Sequence, residues 1–282
     1  MAYCHLECLF RPEQETRSPV VFVHGFPDSP EMWRAYTAPA ERERPWLAGR
    51  AIYTFAFPNR QTRPEPIPSW RDVRRGVLDD ELAAAFTEVI TSSPTGQIIP
   101  IVHDLGATAT WRYARRRRGQ VAFEKLVSFS VGAWLRYDLA EHGLRAFTWL
   151  YQVIYIAPYT TRLRPLQNLL AFLLTRAAGY QSDSAAEVWR DTYHYWEGWL
   201  WPLRLPFYLL GAGWERPFLN FPFPVLFMRS QIDRIATTEA FEVELQRRPD
   251  CRCIVLPDVT HWFPEQRPEL VLPELRAFLH DE

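Results

Sequence analysis

The sequence predicts an α/β fold, in which a mostly parallel central sheet is flanked by helices. Short apolar runs rich in β-branched residues alternate with longer segments of helical periodicity, an order typical of parallel sheets. We expect seven strands, at residues 3–10, 19–23, 51–57, 98–102, 125–131, 224–228 and 251–256. The alternation stops at about Trp134 and resumes after Arg216, and the intervening sequence is helical and rich in aromatic residues.

That interruption divides the 282-residue chain into a core and an inserted cap. We expect residues 1–133 and 217–282 to form the α/β core, and residues 134–216 to form a helical cap over one end of the sheet. Core helices are expected at residues 70–91, from the end of the fourth strand to about 118, and at 237–248 and 268–279. Ser69 is the expected N-cap of the first of these helices.

Composition and charge exclude several classes of partner. The formal net charge is −1, and the run Arg115–Arg118 lies at a predicted helix C-terminus, where cations stabilise the helix dipole, so nucleic-acid binding is not expected. No uncharged run reaches the ~18 residues of a membrane span, and we see no signal peptide. The four cysteines lack zinc-site spacing. We therefore expect a cytoplasmic protein with free thiols, either a monomer or a homodimer.

The strongest functional signal lies where the fourth predicted strand ends, at His103 and Asp104. Small residues follow, beginning with Gly106 and Ala107, as is typical of a strand that turns directly into a helix around one reactive side chain. A carboxyl group has an unperturbed pKa of about 3.9, so Asp104 is ionised at neutral pH without a base to activate it. A carboxylate suits displacement at a saturated carbon, which leaves an ester on the protein. An ordinary helix N-cap is the alternative role for Asp104.

Three further motifs follow predicted strands. Asp233 and His261 each lie just beyond a strand, so the chain order is nucleophile, acid, histidine. The motif His24-Gly25-Phe26-Pro27 follows the second strand, at the edge where open α/β sheets place their ligands. The backbone N–H groups of Phe26 and Leu105 are the expected oxyanion donors.

Together these motifs resemble the epoxide hydrolase and haloalkane dehalogenase branch of the α/β-hydrolase superfamily, which uses an aspartate nucleophile. The resemblance rests on H-G-F-P at 24–27, V-H-D-L-G-A at 102–107, the Asp233 loop and T-H-W-F-P-E-Q-R-P-E at 260–269. H-G-F-P followed by H-D-x-G-A is most similar to the epoxide hydrolases. Haloalkane dehalogenases usually carry a halide-binding tryptophan directly after the nucleophile. Epoxide hydrolases usually have a tryptophan there too, so Leu105 departs from both.

The resemblance implies the α/β-hydrolase fold, with the cap inserted after the strand that follows the nucleophile helix. It also implies a hydrolase that opens an apolar epoxide to a vicinal diol. Asp104 forms the ester, and His261, oriented by Asp233, activates the water that cleaves it. The implied partners are a small apolar substrate and water, with no metal or organic cofactor.

The resemblance further implies two cap tyrosines that donate hydrogen bonds to the opening epoxide oxygen. By position, Tyr151 is the first candidate, with Tyr155 as its alternate. Tyr208 fits the second position better than Tyr193 or Tyr195 does.

Several aromatic and histidine residues are predicted to line the pocket, and ordinary packing is the alternative for each: His24, Trp33, Tyr155 and Trp262. His103 either supports the site or is a core histidine. Two other functions stay open. One is dehalogenation of an alkyl halide, and the other is a catalytically idle hydrolase scaffold that binds an apolar ligand.

Overall fold

The computed structural model describes residues 2–42, 44–58, 68–117, 120–133, 220–233 and 239–280. Between 133 and 220 it describes only residues 152–153, 155–156, 169, 172–173, 175–177, 179–180, 192–193 and 195. The predicted cap, 134–216, therefore lies mostly outside the described residues, and its boundaries stay a prediction.

Seven strands form one sheet, in the spatial order β1-β3-β2-β4-β5-β6-β7. The strands are β1 (His5–Phe10), β2 (Val20–Val23), β3 (Ile52–Ala56), β4 (Ile99–His103), β5 (Leu126–Phe129), β6 (Val225–Ser230) and β7 (Arg252–Leu256). β1 pairs antiparallel with β3, and every other neighbouring pair is parallel. The predicted mostly parallel sheet is therefore confirmed, with each strand within about two residues of its expected bounds.

The strand order reverses between β2 and β4. From β2 the chain crosses to β3 on one side, and it later returns to place β4 on the other side. The two strands are in register, with Val23 opposite Val102. A crevice opens at such a switch point, outside the carboxyl ends of the strands. The loop after β2 and the turn after β4 therefore face each other across this crevice.

Eight α-helices flank the sheet in the described residues outside the segment 134–219. They are α1 (Arg34–Thr37), α2 (Pro39–Arg42), α3 (Trp70–Arg75), α4 (Val77–Ser92), α5 (Asp104–Arg116), α6 (Glu239–Arg247), α7 (Phe263–Gln266) and α8 (Pro268–His280), and a short 3₁₀ helix spans Pro30–Trp33.

The single helix predicted over residues 70–91 is wrong, because the structure has α3 and α4 there. Gly76 stands between them with φ of 78°, a left-handed conformation that glycine adopts at little cost and that ends α3. The predicted cap at Ser69 is confirmed, since its side chain accepts a hydrogen bond from the Asp72 N–H.

Both faces of the sheet are covered, as a mostly parallel sheet requires. Alternate residues of β2 divide between the two layers: Val21 and Val23 pack with the α4 and α5 side, and Val20 and Phe22 pack with the α8 side. Within the described residues, no helix is long and apolar enough to cross a membrane.

Candidate active site

Asp104 occupies the apex of the turn from β4 into α5. β4 ends at His103, and Asp104 is the first residue of the helix, with φ of 48°. A left-handed backbone at a non-glycine residue is uncommon, and it projects this carboxylate from the tight turn into the crevice between the β2 and β4 loops.

Two glycines make room for this turn. A Cβ atom at Gly106 would lie 2.5 Å from the backbone oxygen of His24, and one at Gly25 would lie 2.5 Å from Cβ of Asp104. Both distances are far below van der Waals contact. The close approach of the β2 loop to the start of α5 therefore requires glycine on each side.

Three side chains predicted from separate loops meet at this point. His261 lies with Nε2 3.6 Å from Oδ1 of Asp104, and its Nδ1 is 2.6 Å from Oδ2 of Asp233. The second distance is that of a strong charge-assisted hydrogen bond, and the first is longer than a hydrogen bond. All three side chains are almost fully buried. The structure therefore brings a carboxylate, an imidazole and a second carboxylate together in that order.

The imidazole of His261 and the carboxylate of Asp104 each shift the other's pKa toward the charged form. Burial is the largest influence on Asp104 and raises its pKa, but the nearby positively charged imidazole of His261, with smaller contributions from His103 and the Phe26 N–H, holds that pKa at about 2. Burial also opposes protonation of His261, yet Asp233 and Asp104 together raise its pKa well above 6.5. Asp104 is thus ionised at neutral pH, and the same pair of carboxylates favours the protonated form of His261.

Ser230, which the sequence did not single out, organises the loop that carries Asp233. Its Oγ donates to the backbone oxygen of Val259 at 2.5 Å and accepts from the N–H groups of Ile232 and Asp233, each at 3.1 Å. One hydroxyl thus ties the loop after β6 to the loop after β7. The only signal in the sequence was its position at the end of a buried strand.

One of the two predicted oxyanion donors, the Phe26 N–H, contacts the Asp104 carboxylate. The Phe26 N–H donates to Oδ2 of Asp104 at 2.9 Å. Leu105 is the second residue of α5, so its N–H is among the helix-start donors that have no acceptor within the helix. Oδ2 is therefore held in the position expected for a carbonyl oxygen facing an oxyanion hole.

His24 and Trp33 have contacts that belong to the scaffold. His24 accepts from the Phe57 N–H at Nε2 and donates from Nδ1 to the Gly25 oxygen, so both ring nitrogens are used within the protein. Burial lowers the pKa of His24, in keeping with a neutral ring. Trp33 is fully buried and packs against Phe22 and Phe129. Neither arrangement supports the predicted contact with a substrate.

Trp262 lies next to the imidazole of His261. Their rings meet edge to face, with centroids 5.1 Å apart, and Trp262 also contacts Tyr180 from the segment between residues 133 and 220. The indole thus packs one side of the imidazole, which fits the predicted place of Trp262 at the wall of the site.

Two tyrosines from the predicted cap contact the oxyanion loop. Tyr155 and Tyr195 stack with centroids 5.1 Å apart, and each meets the ring of Phe26 edge to face at 5.1 Å. Burial raises the pKa of Tyr155 to about 12; Thr175 opposes this shift through a hydrogen bond of 3.1 Å, and the negative charge of Asp104 adds to it. The favoured candidates Tyr151 and Tyr208 lie outside the described residues.

Tyr193, the less favoured alternative to Tyr208, donates instead to the backbone oxygen of Pro58 at 2.6 Å. Within the described residues, no cluster of three or more histidine, cysteine, aspartate or glutamate side chains is placed to hold a metal ion.

Residues 20–274 match the Alpha/beta hydrolase family, a span that covers most of the chain and includes Asp104, Asp233 and His261. The chain belongs to the alpha/beta hydrolase family. The predicted superfamily and fold class are therefore confirmed. Membership of this family supports hydrolase activity on a small molecule.

Solved structures with the same fold include enzymes of two kinds. An epoxide hydrolase from Bacillus megaterium in complex with an inhibitor has 16% identity and a TM-score of 0.63, with 99% of this alpha/beta hydrolase and 97% of that chain covered. An epoxide hydrolase from Vigna radiata has 16% identity and a TM-score of 0.61, with 94% and 92% covered. A thermophilic esterase from Thermogutta terrifontis has 18% identity and a TM-score of 0.56, with 99% and 94% covered.

Comparison of the sequence with curated proteins gave no match. At these low identities the solved structures support the fold alone, and the choice between the two kinds of enzyme falls to the residues of the site.

Proposed function

We propose that this protein hydrolyses apolar epoxides to vicinal diols through a covalent ester on Asp104. The observation that carries the proposal is the ionised carboxylate at the apex of the β4–α5 turn, opposite an imidazole that is itself held by Asp233. Serine esterases need a hydroxyl at this apex for attack on a carbonyl. A carboxylate suits attack on a saturated carbon with a strained or good leaving group.

In the first step Asp104 attacks through Oδ1. The other oxygen, Oδ2, is held by the Phe26 N–H, which leaves Oδ1 as the nucleophile. A bond forms between Oδ1 and an epoxide carbon while the bond from that carbon to the ring oxygen breaks. The ring oxygen leaves with the electron pair and takes a proton from an acid at the site.

Tyr155 is the described residue best suited to supply that proton, with Tyr195 stacked beside it. Asp104 lies close enough to influence the pKa of Tyr155, and both tyrosine rings pack on Phe26. An alkoxide is far more basic than a phenolate, so even a tyrosine with a pKa near 12 can donate to it. The rings of Tyr155 and Tyr195, together with those of Phe26 and Trp262, also favour an apolar substrate. Tyr151 and Tyr208 stay predictions.

In the second step His261 becomes the base. Ester formation removes the charge of Asp104, and with it one of the influences that raise the pKa of His261, so the imidazole can give up its proton, which replaces the one that the acid of the first step gave to the ring oxygen. His261 then takes a proton from water, and the resulting hydroxide attacks Cγ of Asp104. The Phe26 and Leu105 N–H groups stabilise the oxyanion on Oδ2. Collapse releases Oδ1 with the product as the second hydroxyl of the diol, which His261 protonates.

The test is a single turnover of excess enzyme with an aryl epoxide in water enriched in oxygen-18. We expect the label in Asp104 and none in the first diol formed, because the diol takes Oδ1 and water refills the carboxylate. Asp104→Asn is the control and forms no ester. Label in the diol instead would contradict the proposal, since water would then attack the epoxide directly.

The same preparation separates the alternatives. Halide release from an alkyl halide, with no diol from any epoxide, would identify a dehalogenase. Binding of apolar ligands with equal affinity by wild type and Asp104→Asn, and turnover of neither class, would identify a catalytically idle scaffold.

A further inference from the structure

The backbone carbonyl of His261 accepts two buried hydrogen bonds that the reaction steps above do not use. His103 Nε2 lies 3.1 Å from this oxygen, and Ser130 Oγ lies 3.2 Å from it. The other ring nitrogen of His103 is 3.1 Å from Oδ2 of Asp28. The side chains of Asp28, His103 and Ser130 are all essentially inaccessible to solvent. A second aspartate–histidine pair therefore lies beside the first.

The protons in this second pair follow from the acceptor. A carbonyl oxygen can only accept, so Nε2 of His103 carries a proton, and the 3.1 Å contact of Nδ1 with Oδ2 of Asp28 requires a further proton between those two atoms. Asp28 thus fixes the ring of His103 as Asp233 fixes that of His261, but the target of His103 is a peptide oxygen. The two imidazole rings are in contact, with centroids 4.8 Å apart.

We propose that Asp28, His103 and Ser130 are positioning residues for the second step, which hold the backbone of His261 so that Nε2 faces the Asp104 ester. This inference rests on the proposed function. Asp233 holds His261 only at Nδ1, so the ring could still tilt about that contact. A fixed carbonyl removes this freedom, because it anchors the other end of the residue.

The geometry makes the second step sensitive to such a tilt. Nε2 of His261 is 3.6 Å from Oδ1 of Asp104, and the attacking water has to be deprotonated next to Cγ of the same residue. A misplacement of about 1 Å can slow a reaction about 100-fold. The first step does not use His261 as a base, so the same tilt leaves the attack of Asp104 on the epoxide largely unaffected.

Two replacements of His103 test its contact with Asp28 and its contact with the His261 oxygen separately. In His103→Gln the side-chain amide nitrogen can take the place of Nε2 and still donate to the His261 oxygen. In His103→Asn the amide is shorter, so it can reach Asp28 but not that oxygen. We expect His103→Asn to slow ester hydrolysis about 10- to 100-fold, while His103→Gln stays close to wild type.

Ser130→Ala and Asp28→Leu test the remaining members, and both should slow hydrolysis in the same direction. Ser128→Ala is the matched control, since Ser128 lies on β5 two residues before Ser130, and its buried Oγ donates to the Val131 oxygen at 2.6 Å without touching His261. Thermal unfolding of each variant checks that it is folded.

The experiment measures two rates by quenched-flow mass spectrometry with an aryl epoxide: formation of the Asp104 ester and its decay. Loss confined to decay, restored in His103→Gln, supports the inference. Equal decay rates in wild type, His103→Asn and Ser130→Ala would overturn it, as would equal loss in His103→Gln and His103→Asn. If the wild type forms no ester at all, the proposed function fails instead, so the two failures are distinct.

Discussion

At the scale of single residues, Asp104 combines a left-handed backbone with a stabilised negative charge. Its φ of 48° follows from the tight turn between β4 and α5, and its pKa of about 2 reflects His261 and the Phe26 N–H outweighing burial. The loop after β2 contributes to both properties: Gly25 leaves room for the turn, and the next residue, Phe26, donates a hydrogen bond to the carboxylate. In the proposed reaction the nucleophile is therefore charged and aimed before a substrate arrives.

Removal of the base should trap the ester. In His261→Gln, attack by Asp104 needs no imidazole, whereas water activation does, so we expect ester formation to persist and turnover to fall about 10²- to 10⁴-fold. Intact-protein mass spectrometry should show one added substrate mass per chain, located at Asp104 after digestion. An unmodified protein that has also lost activity would show that His261 acts earlier in the reaction.

The charge of Asp104 should also contribute to stability, with a defined pH window. Its pKa is lowered from 3.8 to about 2 in the folded protein, so this stabilisation is present above 3.8 and is lost as the pH falls toward 2. The shift corresponds to roughly 2 kcal/mol. Urea unfolding from neutral to acidic pH should show wild type losing more stability than Asp104→Asn. Parallel curves for the two proteins would contradict the lowered pKa.

At the scale of elements, the approach of the β2 loop to α5 depends on the missing side chain of Gly106. A Cβ there meets the backbone oxygens of His24 and Val23 at 2.5 and 2.8 Å, and backbone atoms cannot rotate away. We expect Gly106→Ala to lower the free energy of unfolding by about 1–3 kcal/mol and to displace the nucleophile.

Thr108→Ala is the matched control on the same turn of α5. It removes only a hydroxyl that donates to the Asp104 carbonyl at 3.3 Å, so we expect a smaller loss of stability and retained activity. Denaturant unfolding and ester formation measure both effects. Equal behaviour of the two variants would show that the close contact at Gly106 is relieved elsewhere.

Gly76 presents the opposite case, a glycine with open space but a left-handed backbone. A Cβ there meets nothing within 4 Å, and φ is 78°. Gly76→Ala should therefore cost about 1–2 kcal/mol through backbone strain alone, and Gly76→Asn should cost less, because asparagine tolerates this conformation. Unfolding by urea compares the two. A stabilised Gly76→Ala would indicate that α3 and α4 can merge into one helix.

At the scale of the whole molecule, the carboxyl ends of the strands carry the candidate site, and the amino ends carry a buried contact that links three strands. The candidate site lies at the carboxyl ends of the strands. At the amino ends, the buried guanidinium of Arg50 lies 2.7 Å from the Ser18 oxygen and 3.2 Å from Glu124. These three residues precede β3, β2 and β5. The contact therefore joins the starts of three strands at the edge opposite Asp104.

Replacement of Arg50 should therefore lower stability without changing activity. We expect Arg50→Met to lower the free energy of unfolding by about 1.5–3 kcal/mol, because it removes the buried member of a pair whose Glu124 is partly exposed, and to leave the turnover rate of the folded fraction unchanged. Chemical unfolding and steady-state kinetics measure the two quantities. Glu124→Gln keeps a neutral acceptor for Arg50 and should cost less. A reduced turnover rate in folded Arg50→Met would contradict this division.

The strands and the polar residues that follow them were predictable, because a buried apolar run and the residues directly after it can be recognised from a few neighbouring positions in the sequence. Each buried run ends at a loop, and the carboxyl ends of parallel strands share one edge, so Asp104, Asp233 and His261 had to come close. The break at Gly76 was not predictable, since a helix tolerates an internal glycine at a cost of about 1 kcal/mol. The stack of Tyr155 on Tyr195, and the contact of Ser130 with His261, depend on tertiary packing that periodicity does not encode.

The site is assembled from the loops after β2, β4, β6 and β7, which lie far apart along the chain. On a ribosome, Asp104 emerges well before the segment that carries His261. Until β7 and the loop after it have been synthesised, a nascent polypeptide therefore carries Asp104 without its histidine partner. In the proposed reaction, the aimed carboxylate and the histidine that cleaves its ester become available together, when these loops meet at one edge of the sheet.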